Sequence, residues 1–220
     1  MHGFDQWSIF QRSKHAGPTY EDTPVPVTPH ATRRAFVPPD PPRTPKSAST
    51  RRRLVDVAAR LFVERGYSAV STRDIAAAAK LTKGALYGHF RSKGQLLVEV
   101  IRAKVAERDH AVDFEAAAAD PAAGIALMFD EPGREIRVLE VDAAAAARHD
   151  PDVAAGLAAL YLDRHARIRD AASETRDPDT AAWLIAALNA GIAMKESTGV
   201  PLPDADRLRV AIDDALHGLL

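Results

Sequence analysis

The stretch TKGALYGHFRSKGQ (82–95) gathers hydroxyl, ammonium, phenol and imidazole groups between Thr82 and Lys93. It also places Gly84 and Gly88 inside what reads as one short helix, and a plain core helix would not choose glycine twice. A helix N-terminus offers unsatisfied N–H groups and the positive end of the helix dipole, so it attracts phosphate. With Thr82 and Lys83 there to reach base edges and Gly84 to permit close approach, the kit suits a nucleic-acid groove. Tyr87 carries a hydroxyl on a rigid ring and His89 a ring N–H, both suited to phosphate oxygens, and Lys93 adds a cation at the next helix start. Phe90 reads as the apolar plug that holds this unit to Leu61, Phe62 and Ile75. The plainer alternative makes Tyr87 core and His89 an ordinary surface residue.

Short elements must position these groups. Leu54, Val57, Ala58, Leu61 and Phe62 fall on one helical face, and Gly66 follows where a left-handed cap wants glycine. Ser71 with Asp74 predicts a carboxylate capping box and a short helix from Thr72 to about Ala79. A tight turn at Lys80-Leu81 leads to Thr82, the next N-cap, and Ser92 with Gln95 is a second capping box that starts a long helix. Two short helices joined by a tight turn and braced by longer ones describe a helix-turn-helix.

Charge supports a polyanion partner for this part of the chain alone. Residues 48–105 hold twelve Lys/Arg and four Asp/Glu, whereas residues 106–220 hold eleven and twenty-two. A basic module is therefore fused to an acidic one, although the whole chain of 220 residues carries a net charge of only −1. There are no cysteines, which excludes disulfides, thiolate zinc sites and a cysteine nucleophile. No segment reads as a secretory signal or a membrane span, so a cytoplasmic location is expected. Residues 1–47 carry nine of the fifteen prolines and read as a disordered, proline-rich extension. Its basic end, from Arg33 to Arg53, would trail along DNA phosphates; a start codon assigned too far upstream is the competing reading.

The segment ARLFVERGYSAVSTRDIAAAAKLTKGALYGHFRSKGQLL resembles the DNA-binding signature of the TetR family of bacterial transcriptional regulators. Phe62, Gly66, Tyr67, Ser71, Thr72, Ile75, Ala76, Leu86, Tyr87, His89, Phe90, Lys93 and Leu96 stand at the matching positions. The resemblance implies an all-α homodimer: a three-helix helix-turn-helix domain (48–92) followed by a helical effector-binding and dimerisation domain (93–220). It implies phosphate contacts for Thr72, Tyr87, His89 and Lys93, base contacts for Thr82, Lys83 and Gly84, and either role for Arg73. Two departures stand out. Lys80 occupies a turn position where members usually have glycine, and a left-handed lysine there costs about 1 kcal/mol. Gly88 and Gly94 replace bulkier polar or acidic residues, and with Gly84 they predict a loosely held recognition helix.

Beyond residue 105 no signature applies. Asp before Pro repeatedly marks a helix start, which predicts helices near 121–130, 133–148, 151–174, 178–196 and 204–219. Leu184, Leu188 and Gly191, with Leu208, Ile212 and Leu216, make two apolar stripes that would pair into a four-helix dimer interface. Met128, Phe129, Leu139, Leu157, Tyr161, His165 and Trp183 are candidate walls of an effector pocket. Neither metal nor cofactor is expected. The expected function is a repressor released from a near-palindromic operator by a small-molecule effector. An activator or a protein-binding helix-turn-helix module are alternatives, and so, more remotely, is a phosphohydrolase built on His149-Asp150.

Overall fold

A computed structural model describes residues 37–42, 44–111, 130–173 and 177–204, together with 206–208, 210, 211 and 214. Seven helices are defined among them: α1 Pro45–Arg65, α2 Thr72–Ala78, α3 Lys83–Tyr87, α4 Lys93–Ala111, α5 Glu131–Ala147, α6 Pro151–Ala171 and α7 Pro178–Ser197. No strand occurs among the described residues, and no helix among them is long and apolar enough to cross a membrane. Residues 1–36 lie outside the described residues, as do positions 121–129 of the helix expected at 121–130. Of the last expected helix, 204–219, Asp204 is described and not helical, whereas residues 206–208, 210, 211 and 214 are described and helical.

Local chemistry sets most boundaries. Asp130, Asp150 and Asp177 each accept backbone N–H groups at a helix start, with proline in the first turn. α5 begins two residues earlier than expected because Pro132 and Gly133 join its first turn: proline needs no donor there, and Gly133 N–H donates to Asp130 Oδ1 at 2.7 Å. α1 likewise reaches back into the proline-rich extension assigned to 1–47. Thr44 caps it by accepting from Ser47 N–H, and Pro45 occupies the first helical position.

Ser71 and Asp74 close the reciprocal box, Ser71 N–H donating to Asp74 Oδ2 at 2.9 Å and Asp74 N–H to Ser71 Oγ at 3.2 Å. The Ser71 hydroxyl, which also donates to this carboxylate, holds the Asp74 carboxyl below its usual range. Lys80 adopts φ 55°, the left-handed conformation suspected at the turn. Lys80→Gly should therefore raise stability by about 1 kcal/mol, read as a higher denaturant midpoint with an unchanged slope.

The core is one continuous cluster. Leu54, Phe62, Ile75, Leu86, Leu97 and Ile101 from the first four helices, with Phe90 from the α3–α4 loop, join Leu139, Ala143, Val153 and Leu157 from α5 and α6. α4 is the shared wall, since it packs on α1, α5 and α6. A buried polar layer accompanies this core. Arg137, 2% exposed, grips Glu196 through Nε and Nη2, each at 2.7 Å, and Arg164 pairs with Glu140 at 2.8 Å. On α7 the inner side buries Ala182, Ile192 and Ala193. The outer side exposes Trp183, Ala187, Leu188, Gly191 and Met194, with Leu184 partly covered. Leu208 is partly buried, and Ile212 and Leu216 fall outside the described residues.

Candidate nucleic-acid interface

The interface is built on a helix too short to stand alone. α3 spans five residues, and it holds only because Leu86 and Phe90 are fully buried beneath it. Thr82 caps α3 by accepting from Ala85 N–H at 3.1 Å. Thr82, Lys83, Gly84 and Tyr87 are exposed, as is Arg73 on α2, while Thr72 and His89 are partly exposed. The Thr72 and Tyr87 hydroxyls lie 3.4 Å apart, which joins the two helices on one face. Lys83 Nζ sits 5.6 Å from the centre of the Tyr87 ring. Arg73 and Lys83 make no side-chain ion pair among the described residues. Seven of the eight expected groups are thus gathered at α2 and α3 with their cations unspent.

Lys93 is the exception. Its ammonium turns inward and donates to the Tyr67 carbonyl at 2.8 Å and the Val70 carbonyl at 2.9 Å, over the Tyr67 ring at 4.0 Å. Burial lowers its pKa, partly opposed by the nearby Asp142 carboxylate. The expected free cation is instead a buckle between the α1–α2 loop and the start of α4. Sequence spacing places a lysine in a first turn but does not say which way its long side chain folds.

Gly94 also departs from expectation. It is buried, and a Cβ there would come within 2.6 Å of Val153 Cγ2 and closer still to Asp150 Oδ2. This glycine does not loosen the recognition unit; it lets α4 seat against the start of α6. Gly84 and Gly88 meet nothing closer than 3.8 Å and 3.4 Å, so inside the protein their missing side chains are not required. Nearby, Tyr67 N–H donates to Asp142 Oδ2 at 2.6 Å, tying the helix-turn-helix to α5. Burial, and secondarily the charge of Asp150, push the Tyr67 hydroxyl up to about 12. Sequence reading missed Asp142, because an acid inside an alanine run shows no local signal.

Gln95 completes half of its expected box. Ser92 Oγ accepts from Gln95 N–H at 3.0 Å, but the Gln95 carbonyl accepts from Arg91 N–H at 2.8 Å and not from Ser92. Its amide nitrogen donates to the Val37 carbonyl at 3.0 Å.

The expected effector walls do not converge on one cavity. Leu139 and Leu157 are packed into the core, Tyr161 lies against the Arg164 guanidinium, His165 faces Asp179 at 3.6 Å, and Trp183 is 68% exposed. Met128 and Phe129 lie outside the described residues. Amphipathic spacing marks apolar positions but cannot tell an inward face from an outward one in a helix flanked on two sides. The open spaces lie elsewhere. A cleft of about 430 Å³ runs between α1 and α4, and one of about 200 Å³ opens among α4, α5 and α6, lined by Arg102, Glu140, Asp163, Arg164 and Arg167. Asp150 accepts from Asp152 and Val153 N–H as the α6 cap, which accounts for its place beside His149.

Comparison with known proteins agrees with this geometry. The profile described as bacterial regulatory proteins, tetR family, matches residues 54–100. Over 64 residues the chain is 47% identical to the HTH-type transcriptional repressor KstR2 of Mycolicibacterium smegmatis, covering 29% of this chain and 30% of that protein. Over 55 residues it is 44% identical to the HTH-type transcriptional regulator AcrR of Shigella flexneri, covering 25% and 26%. The chain thus spans about a third or less of the length of these curated relatives. Among solved structures, a transcriptional regulator from Rhodococcus sp. RHA1 superposes with TM-score 0.64 at 21% identity, over 78% of this chain and 96% of that one. NalD of Pseudomonas aeruginosa, the secondary repressor of a multidrug efflux pump, gives 0.56 at 21%, over 80% and 98%. The helix-turn-helix stretch is thus similar in sequence to the tetR family of bacterial regulatory proteins, and the helical body is similar in fold to solved transcriptional regulators.

Proposed function

We propose that the chain is a dimeric transcriptional repressor that reads duplex DNA with the exposed tip of α3 and leaves it when a small molecule binds the body. The observation that carries this reading is the tip itself. Thr82, Lys83 and Gly84 are exposed at the start of a helix whose other side is fully buried, with the Thr72 and Tyr87 hydroxyls side by side next to them. The outer face of α7 supports pairing, because Trp183, Leu188 and Met194 stand exposed at helical spacing around a glycine with nothing within 4 Å. Two such heads would occupy successive major grooves about 34 Å apart. The cleft among α4, α5 and α6, where Val105, Ala106 and Leu160 stand beside Glu140, Arg164 and Arg167, is the space an effector would enter.

The test uses the duplex that the full chain selects from a random-sequence library, in a mobility-shift titration. Lys83→Ala should cost about 1–3 kcal/mol of binding and relax the preference at one base position. Gly84→Ala should stabilise the protein by about 0.5–1 kcal/mol yet weaken binding, because the added methyl group makes only an ordinary contact, with Thr82 Oγ1 at 3.8 Å, in the protein and would meet a base edge in the complex. Full affinity in both variants would refute the interface.

A further inference from the structure

The loop between α1 and α2 is held from two helices at once. Tyr67 N–H donates to Asp142 Oδ2 of α5 at 2.6 Å, while Lys93 Nζ of α4 donates to the Tyr67 and Val70 carbonyls at 2.8 Å and 2.9 Å. A carboxylate takes a donor of this loop and an ammonium takes two of its acceptors, and hydrogen bonds to charged groups are about twice as strong as neutral ones. The loop runs straight into Ser71, the cap of α2, and the Thr72 hydroxyl that follows lies beside that of Tyr87 on α3. Lys93 ties the loop only to α4. Asp142 ties it to α5, where the next residue, Ala143, is fully buried and where Arg137 grips Glu196 of α7. A continuous run of bonded groups thus leads from the reading tip to the helix proposed to pair the subunits.

We infer that Asp142 is a positioning residue: it fixes the angle of each DNA-reading head against the body, and so sets the half-site spacing that a dimer accepts. The inference rests on the two-headed DNA-binding reading above and adds a determinant of specificity that touches no DNA. One base pair inserted between half-sites moves one of them by about 3.4 Å and turns it by about 35°. A head fastened through its loop to α5 as well as to α4 cannot follow that movement. Without the Asp142 carboxylate the Tyr67 N–H loses its acceptor, and the polar groups of the loop stay tied to α4 alone. The head then gains the freedom to follow.

The experiment titrates the full chain and its Asp142→Ala variant with the library-selected duplex, with the same duplex lengthened by one base pair between half-sites, and with a duplex that keeps a single half-site. Engagement of both heads is lost when geometry forbids it, so the parent should bind the lengthened duplex at least ~10-fold more weakly, whereas Asp142→Ala should lose less than ~3-fold. Asp142→Asn keeps an acceptor oxygen and should stay closer to the parent. Binding to the single half-site normalises each preparation for protein that is not folded. A second measurement needs no variant: in the parent chain the Tyr67 amide should exchange with solvent at least ~10-fold more slowly than those of exposed Ser68 and Ala69. If the three amides exchange alike, or if Asp142→Ala keeps the parental spacing preference while Lys83→Ala loses binding, the positioning role is refuted and the recognition reading stands. If Lys83→Ala also binds normally, the recognition reading itself falls.

Discussion

Gly94→Ala is expected to lower the melting temperature and weaken DNA binding together, although helix propensity alone predicts the opposite sign for stability. Alanine in the first turn of a helix gains up to about 1 kcal/mol over glycine. Here its methyl group would press on Val153 Cγ2 at 2.6 Å and on Asp150 Oδ2. Neither neighbour can yield cheaply. Val153 is fully buried, and the Asp150 carboxylate is held in place by the N–H groups of Asp152 and Val153. The start of α6 must move away from α4, an overpacking that costs about 1–3 kcal/mol. Lys93, the adjacent residue, buckles the α1–α2 loop onto α4, so a displaced α4 also displaces the DNA-reading unit. Gly88→Ala is the control: its methyl group meets ordinary contacts no closer than 3.4 Å, and it should raise the melting temperature. Parallel melts of the two variants decide the matter, since a Gly94→Ala protein as stable as Gly88→Ala would show that α4 and α6 do not touch there.

Arg137→Ala should be more damaging still, at about 3–5 kcal/mol of unfolding free energy. The arginine is 2% exposed and bidentate to Glu196, whose side chain is 14% exposed, so truncation strands a carboxylate in a largely dry site and opens a cavity beside it. The pair ties α5 to the last turn of α7, the helix that carries the exposed Trp183–Met194 face, so the pairing proposed for that face should weaken along with stability. Replacing both partners with apolar residues of similar size, Arg137→Met with Glu196→Leu, should restore most of the loss, because the penalty lies in the unpaired charge and not in the absence of the pair. Chemical denaturation of the three proteins checks this. A double variant no better than Arg137→Ala alone would mean that Arg137 acts through something other than its ion pair.

Legibility in the sequence followed interaction range. Ser71 with Asp74, Thr82 as a cap, the left-handed Lys80 and the Asp-Pro starts at Asp150 and Asp177 all read correctly. Each is settled within four residues by backbone hydrogen bonds and steric limits on φ. Gln95 was half right: its N–H donates to Ser92 as expected, but its side-chain carbonyl accepts from the neighbouring Arg91 N–H, while its amide nitrogen reaches Val37, 58 positions away. Lys93, Gly94 and Asp142 were misread or missed for one shared reason. Their partners are the Tyr67 and Val70 carbonyls, Val153 and the Tyr67 N–H, groups 23 to 75 positions away that spacing cannot see. The effector walls failed differently: Leu139 and Trp183 are both apolar and both periodic, yet one is sealed in the core and the other faces outward.

The amino-acid order alone thus determined the helical class, the helix-turn-helix and the exposed kit at Thr82 to Tyr87, since caps, turns and one-sided apolar spacing are local properties of a chain. Only the tertiary structure decided which cations remain free for a partner, where α4 touches α6, and where the open space in the body lies. Those outcomes depend on which distant groups folding brings into contact, and a buried lysine or a crowded glycine carries no mark of that in its own neighbours.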